Sequence, residues 1–367
     1  MSKIGIFKQA KRRDRSNSLK IRIGLIGLGD AWQTRHRPAL RMLADRFDVR
    51  AVFADVPKLA ENCASEFQAD PVDGYRALVN RNDIDAVMVL KHSWHGWLPL
   101  LAACEAGKAV YCAGNVDFDS VRDEKVRSAV DESGVAFMME FPRRFAPATL
   151  RLKELIATRL GSPKLIFCHT RLQNDACANA GSRGCDPMDR ELIELIDWCR
   201  YVVGRDPHTV NSTGHVCSRP GSETKADTDY RSISLQFPGT PATPSESAPA
   251  ESSVGDPVTV QLSCGRYISS HWKEAVAFRP PAAMQICCER GVAFIDLPSN
   301  LVWFDDAGRH LESLETELPV GERLLQHFHR AITSLVRNLS DLDDAYHASR
   351  LLAAAYDSSM HGRRIDV

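Results

Sequence analysis

The sequence predicts two fold classes in tandem: an α/β domain on a doubly wound parallel sheet, then an α+β domain with a mostly antiparallel sheet. Three observations carry this. Short β-branched strands alternate with helical segments as far as Pro147, which implies right-handed crossovers and a sheet covered on both faces. Beyond that point apolar and polar residues alternate within strands, the pattern of sheets with one wet face. The chain has 367 residues, enough for two domains at roughly 100–200 residues each.

Taken in order, residues 1–20 form a basic tail, with seven Lys or Arg against the single acid Asp14. Arg12-Arg13 lacks the apolar segment and cleavage site of an export signal, so the tail reads as disordered. Residues 21–147 form the first domain. Ile21–Ile26 is a buried strand closed by glycines, and a helix follows through Leu40 and Leu43. Val49–Ala54 is the next strand, ending at Asp55, and Lys58–Phe67 the next helix. Ala77–Val79 and Ile84–Leu90 continue the strands, Leu98–Ala106 is a helix stopped by Gly107, and Ala109–Cys112 is a strand. Residues 148–367 form the second domain. It opens with a helix over Leu150–Leu160 ended by Gly161, a strand over Leu165–Thr170, and a helix over Glu191–Val202 closed by Gly204. Strands carrying Ile233, Leu235 and Phe237, then Val258, Val260 and Leu262, flank an insertion at 238–256 too poor in large apolar residues to repay its ordering entropy. Strands near Met284–Cys288, Val292–Ile295 and Leu301–Phe304 precede closing helices near Leu324–Leu335 and Ala345–Met360, which are placed to pack back on the first domain.

Composition removes several function classes. With 46 basic and 47 acidic side chains there is no global field to hold nucleic acid or an anionic membrane. No run of 18 apolar residues exists to span a bilayer. The eleven cysteines are odd in number and irregular in spacing, without Cys-x-x-Cys, so they read as reduced and mostly buried. The twelve histidines lack metal-ligand spacing, and the His92-Ser93-Trp94-His95 cluster has no carboxylate or thiolate nearby, so no metal is expected. A cytoplasmic location follows as the expectation.

The chemistry is concentrated at the first turn. Gly27-Leu28-Gly29-Asp30-Ala31-Trp32 ends a strand and opens a helix, the context of a Rossmann dinucleotide turn. The first glycine makes the tight turn and the second lets the backbone approach a pyrophosphate. The third glycine position holds Trp32, which costs about 1–3 kcal/mol of overpacking unless the helix shifts. Asp55 ends the second strand where an acid bonds adenosine ribose hydroxyls and disfavours a 2′-phosphate, so NAD is preferred over NADP. The whole turn, Trp32 included, is assigned to the cofactor together with Asp55, Leu90 and Asn115.

These residues resemble the Gfo/Idh/MocA family of glucose–fructose oxidoreductase and inositol dehydrogenase. The likeness runs from Ile21 onward through Gly27-Leu28-Gly29, Asp55, Ile84-Asp85-Ala86-Val87, His95, Ala106-Gly107-Lys108, Arg144-Phe145-x-Pro147 and the Gly161 helix stop. It implies a Rossmann domain, a second domain with a large open sheet that often forms a dimer interface, and NAD(P)-dependent redox chemistry on sugars or polyols. The family's Glu-Lys-Pro lysine falls on Gly114, its Asp-x-x-x-His positions fall on Arg190 and Glu194, and its Thr-Pro falls on Leu90-Lys91. Losing a positioned acid or base costs roughly 10²–10⁴ in rate. One reading therefore moves the chemistry: Lys91 supplies the ammonium at a parallel strand's carboxyl end, Glu194 is the base, and His95 or Arg144 orients a small polar substrate. On the plainer alternatives, Glu194 pairs with Arg190 one helical turn away and Arg144 fixes the domain junction. The competing readings of the whole chain are a non-catalytic dinucleotide- or ligand-binding protein of the same fold and a structural or interaction protein that has lost the cofactor. A homo-oligomer through the C-terminal sheet is expected.

Overall fold

In the computed structural model, the residues described are 20–92, 95–113, 120–173, 186–216, 229–239, 256–268, 274, 278, 282–334 and 340–367. Asn115, Gly114, most of the basic tail and residues 240–255 of the insertion lie outside them.

The first sheet contains β1 (Ile21–Ile26), β2 (Phe47–Phe53), β3 (Asp70–Pro71), β4 (Ala86–Val89), β5 (Ala109–Cys112) and β6 (Phe137–Met139). Their order is β3-β2-β1-β4-β5-β6 and every pairing is parallel, so the strand order reverses between β1 and β4. Ligands of open α/β sheets bind outside the strands' carboxyl ends at such a switch point. All four residues of β4 and of β5 are buried, as expected for strands covered on both faces.

The period-2 geometry of β4 sends Met88 to one face and Val87 and Val89 to the other. On the Met88 face lie α1 (Arg37–Met42), α2 (Pro57–Phe67) and α8 (Val320–Thr333), whose Leu324, Leu325 and Phe328 pack with Phe47, Tyr111 and Met138. The opposite face carries α3 (Tyr75–Val79), α4 (Leu98–Glu105), α5 (Ser120–Ser133) and part of α9 (Ser340–His361), through Leu342 and Ala345. Two helices from the end of the chain thus cover both faces of its first sheet.

Ala77–Val79 is part of helix α3, not a strand. Its buried residues Tyr75, Leu78 and Val79 stand at helical spacing, which a three-residue apolar run cannot reveal.

The second sheet has nine strands in the order β14-β13-β12-β11-β7-β10-β9-β8-β15. They are β7 (Pro163–Gln173), β8 (Thr209–His215), β9 (Tyr230–Phe237), β10 (Val258–Ile268), β11 (Met284–Cys288), β12 (Gly291–Asp296), β13 (Asn300–Asp305), β14 (Gly308–Ser313) and β15 (Ile365–Asp366). All pairings are antiparallel except β7 with β10 at the centre. The strands flanking the insertion pair along their length, from Phe237 with Val258 to Tyr230 with Gly265. One face packs against α6 (Pro147–Leu155), α7 (Pro187–Val203) and α9. On strands of this sheet Phe167, Phe304 and Leu311 remain 40%, 39% and 69% exposed. Six of the eight described cysteines are buried and all eight are free thiols, matching their reading as small apolar residues. No helix among the described residues is long and apolar enough to cross a membrane.

Candidate functional site

The glycine turn is built from backbone approach. Gly27 has φ +70°, the left-handed region in which glycine is at ease, and its N–H donates to the Phe53 carbonyl at 2.8 Å. A Cβ at Gly27 would come within 2.8 Å of both Cβ and the carbonyl oxygen of Lys91; one at Gly29 would be driven onto the Leu90 carbonyl oxygen. The turn therefore lies directly on the end of β4, and both positions require glycine. This bare backbone at the β1/β4 switch fits a bound pyrophosphate. Asp30 and Asp55 are exposed, Leu28 and Ala31 half-buried, and Leu90 buried.

Trp32 is accommodated by a change of helix type. Trp32–His36 is a π-helical turn, with His36 N–H donating to Ala31 O at 3.2 Å and Arg37 N–H to Trp32 O. The indole, 5% exposed, sits in the core with its ring centroid 6.0 Å from that of Phe67. The residue assigned to the cofactor with the rest of the turn thus has its side chain directed inward from the wider turn.

A second centre forms around Glu140, just past β6. Its carboxylate is 4% exposed yet takes three side-chain donors: Arg35 from the π turn, His36 Nε2 at 2.8 Å, and the Tyr111 hydroxyl at 2.9 Å. Burial alone would raise this carboxyl; His36 and Arg35 more than offset it and hold it at about 2. The same Glu140 carboxylate helps push the buried Tyr111 phenol well above its usual range.

Arg35 also lines a cavity of about 750 Å³ bounded by helices and loops of both domains, with Thr34, Arg143, Glu194, Ser299 and Glu322 on its wall. Arg143, in the 3₁₀ turn Pro142–Phe145, bridges Glu191 and Glu194 of α7. Burial raises the Glu194 carboxyl, Arg143 pulls it back, and Glu191 adds to the rise; the balance lies above the ordinary carboxylate value. With 20% of its side chain exposed, Glu194 can still be reached from the cavity. A half-buried carboxylate with a raised pKa beside a guanidinium has the makings of a proton acceptor.

A family profile described as "Oxidoreductase family, NAD-binding Rossmann fold" (GFO_IDH_MocA) matches residues 21–113. Over residues 21–113 the chain is a match to the Gfo/Idh/MocA family, and the inositol dehydrogenase relatives support that placement. An inositol 2-dehydrogenase of Rhizobium meliloti is 26% identical over 220 residues, covering 59% of this chain and 66% of that protein. A dTDP-3,4-didehydro-2,6-dideoxy-alpha-D-glucose 3-reductase of Actinomadura kijaniata is 32% identical over 128 residues, 34% of this chain and 38% of that one. The chain thus matches between about a third and two thirds of the length of these curated relatives. Among solved structures, an aldose-aldose oxidoreductase from Caulobacter crescentus complexed with glycerol superposes with TM-score 0.74 at 16% identity, covering 95% of this chain and all of that one. At that identity the likeness concerns the fold.

The three residues expected to act together have different immediate neighbours. His95 lies beside Asp55, with Nε2 to Oδ1 at 3.9 Å, and its ring packs 5.6 Å from Phe53 and 5.0 Å from Tyr75. It therefore stands at the end of β2, beside the residue assigned to the ribose. Lys91 is exposed at the root of the glycine turn. Glu194 is held by Arg143, and no hydrogen bond or ion pair joins any two of the three among the described residues.

Arg144 behaves as a junction residue. It donates to Asp197 of α7 through Nε at 2.8 Å and to Asp344 of α9 through Nη1 at 2.7 Å, while stacking 4.7 Å over Phe141. The residues that sequence reasoning missed are Arg35, His36, Glu140 and Arg143. One signal was available: Glu140 is a lone charge in the apolar run Phe137-Met138-Met139-Glu140-Phe141, where a buried charge requires partners.

Proposed function

We propose that this chain is an NAD-dependent oxidoreductase acting on a hydroxyl or carbonyl carbon of a small polyhydroxylated substrate, with Glu194 as the proton acceptor. The observation that carries this is Glu194 itself, half-buried at the cavity wall with a raised pKa and oriented by Arg143. Gly27 and Gly29 would hold the dinucleotide by its pyrophosphate and Asp55 by its ribose hydroxyls, which favours NAD over NADP. When bound, NAD supplies the hydride acceptor or donor. Glu194 takes the proton released as the substrate hydroxyl becomes a carbonyl, or returns it in the reverse direction. Arg35, anchored on Glu140, and Arg143, anchored on Glu191, present fixed donors to substrate oxygens at the same wall. Inositol 2-dehydrogenase among the relatives makes a cyclic polyol a sensible first substrate to try.

The competing reading is a binding protein of the same fold without turnover. The lack of any direct hydrogen bond or ion pair joining Lys91, His95 and Glu194 among the described residues favours it. Purified protein is titrated with NADH and NADPH, then screened with polyols and aldoses; Glu194→Gln is expected to lower kcat by about 10²–10⁴-fold while leaving NADH affinity intact. Saturable NADH binding with no turnover of any substrate, or turnover indifferent to Glu194→Gln, sinks the catalytic assignment.

A homo-oligomer is part of the same proposal. Phe167, Phe304 and Leu311 lie on the central and outer strands of the second sheet and offer apolar surface for a second copy.

A further inference from the structure

We propose that Lys91 is a phosphate-binding residue of the dinucleotide site, its ammonium pairing with the pyrophosphate above the Gly27–Gly29 turn. This rests on the reading that the turn holds a dinucleotide.

The root of Lys91 is fixed by the same approach that makes the glycines obligatory. A Cβ on Gly27 would stand 2.8 Å from Lys91 Cβ, and one on Gly29 would stand 3.9 Å from it. The lysine thus rises from the floor of the turn at the switch between β1 and β4. Its head is uncommitted: Lys91 is exposed and makes no hydrogen bond or ion pair among the described residues. The arginines of the helix that follows the turn are anchored elsewhere, Arg35 on Glu140 and Arg37 on Glu66. The turn's own ionisable side chain, Asp30, and the neighbouring Asp55 are acidic. Two acids beside a pyrophosphate would repel it, and among the described residues at the turn Lys91 supplies the compensating charge. A compact ammonium on a flexible four-carbon stem suits phosphate oxygens from several directions. The site then combines backbone N–H groups with one mobile cation, and Lys91 serves cofactor binding instead of proton transfer.

The test uses full-length protein and calorimetry with ADP-ribose, which has the pyrophosphate but no nicotinamide, and with adenosine, which has neither. Lys91→Ala keeps the Cβ that touches the turn and removes only the stem and charge. It is expected to weaken ADP-ribose about tenfold or more, with adenosine unchanged and a shallower salt dependence. Lys91→Arg, which keeps the charge, is expected to stay within about threefold of the native chain. Unchanged ADP-ribose affinity in Lys91→Ala, or equal losses for ADP-ribose and adenosine, overturns the assignment while leaving the dinucleotide site standing. Failure of the native protein to bind ADP-ribose at all overturns both.

Discussion

The two ends of the site are made in opposite ways. The glycine turn is shaped by main chain: Gly27 and Gly29 press against Leu90 and Lys91, and the charged side chains Asp30, Asp55 and Lys91 are exposed. The cavity wall is shaped by side chains held in ion pairs: Arg35 is anchored on the buried Glu140, which takes three donors, and Arg143 spans two half-buried glutamates. The first arrangement is cheap to maintain and easy to abolish by adding one methyl group. The second depends on every charge keeping its partner, because an orphaned buried charge is far costlier than an intact pair.

Breaking the buried end has the largest expected effect. Glu140→Gln strands Arg35 and His36 and should cost about 3–5 kcal/mol, read as a lower midpoint in chemical denaturation. The pH dependence sharpens this. Because the folded carboxyl sits at about 2 against an ordinary 4.5, its contribution is fully present above about 4.5 and is lost as pH falls from there towards 2. The native chain should therefore lose stability over that acid window and the Glu140→Gln variant much less. Identical acid limbs for the two would show that the ion-pair hub contributes little.

A smaller effect is expected at the open end. Gly29→Ala forces a Cβ onto the Leu90 carbonyl oxygen, a backbone atom that cannot swing aside; about 1–3 kcal/mol of stability and most NADH affinity should go. Retained affinity would mean that the turn relaxes away from β4. The smallest change is Asp55→Asn, which should leave folding untouched and narrow the preference for NADH over NADPH by roughly tenfold, about 1.4 kcal/mol, measured by paired titrations.

The same contrast explains what could be read in the sequence. The tight turn at Gly27 and Gly29 and the place of Asp55 after a strand were legible because they are set by neighbours a few residues away, where a strand ends and a helix begins. The cavity was not: Arg35 meets Glu140 across 105 positions and Arg143 meets Glu194 across 51, and no local pattern encodes such pairs. His95 illustrates the gap. Its position after β4 was plain, but only the folded chain turns it toward Asp55. In the fold itself, strands with clear alternation or β-branched runs were readable. The parallel pairing of β7 with β10 was not, because register between distant strands is decided by the assembled sheet. Trp32 posed the right question, and the answer was a π turn that a sequence pattern does not announce.

The two closing helices have a consequence for biosynthesis. Phe47, Tyr111 and Met138 leave the ribosome early, yet the side chains that cover them, Leu324, Leu325 and Phe328, are among the later residues made. Throughout most of translation the part of that face not covered by α1 and α2 is therefore an exposed apolar surface, the kind that chaperones hold and that sticks to other chains when they do not. Until α8 and α9 emerge, the first sheet cannot complete its own core, so a ribosome stalled before residue 320 should carry a chain that is aggregation-prone despite having every strand of that sheet already synthesised.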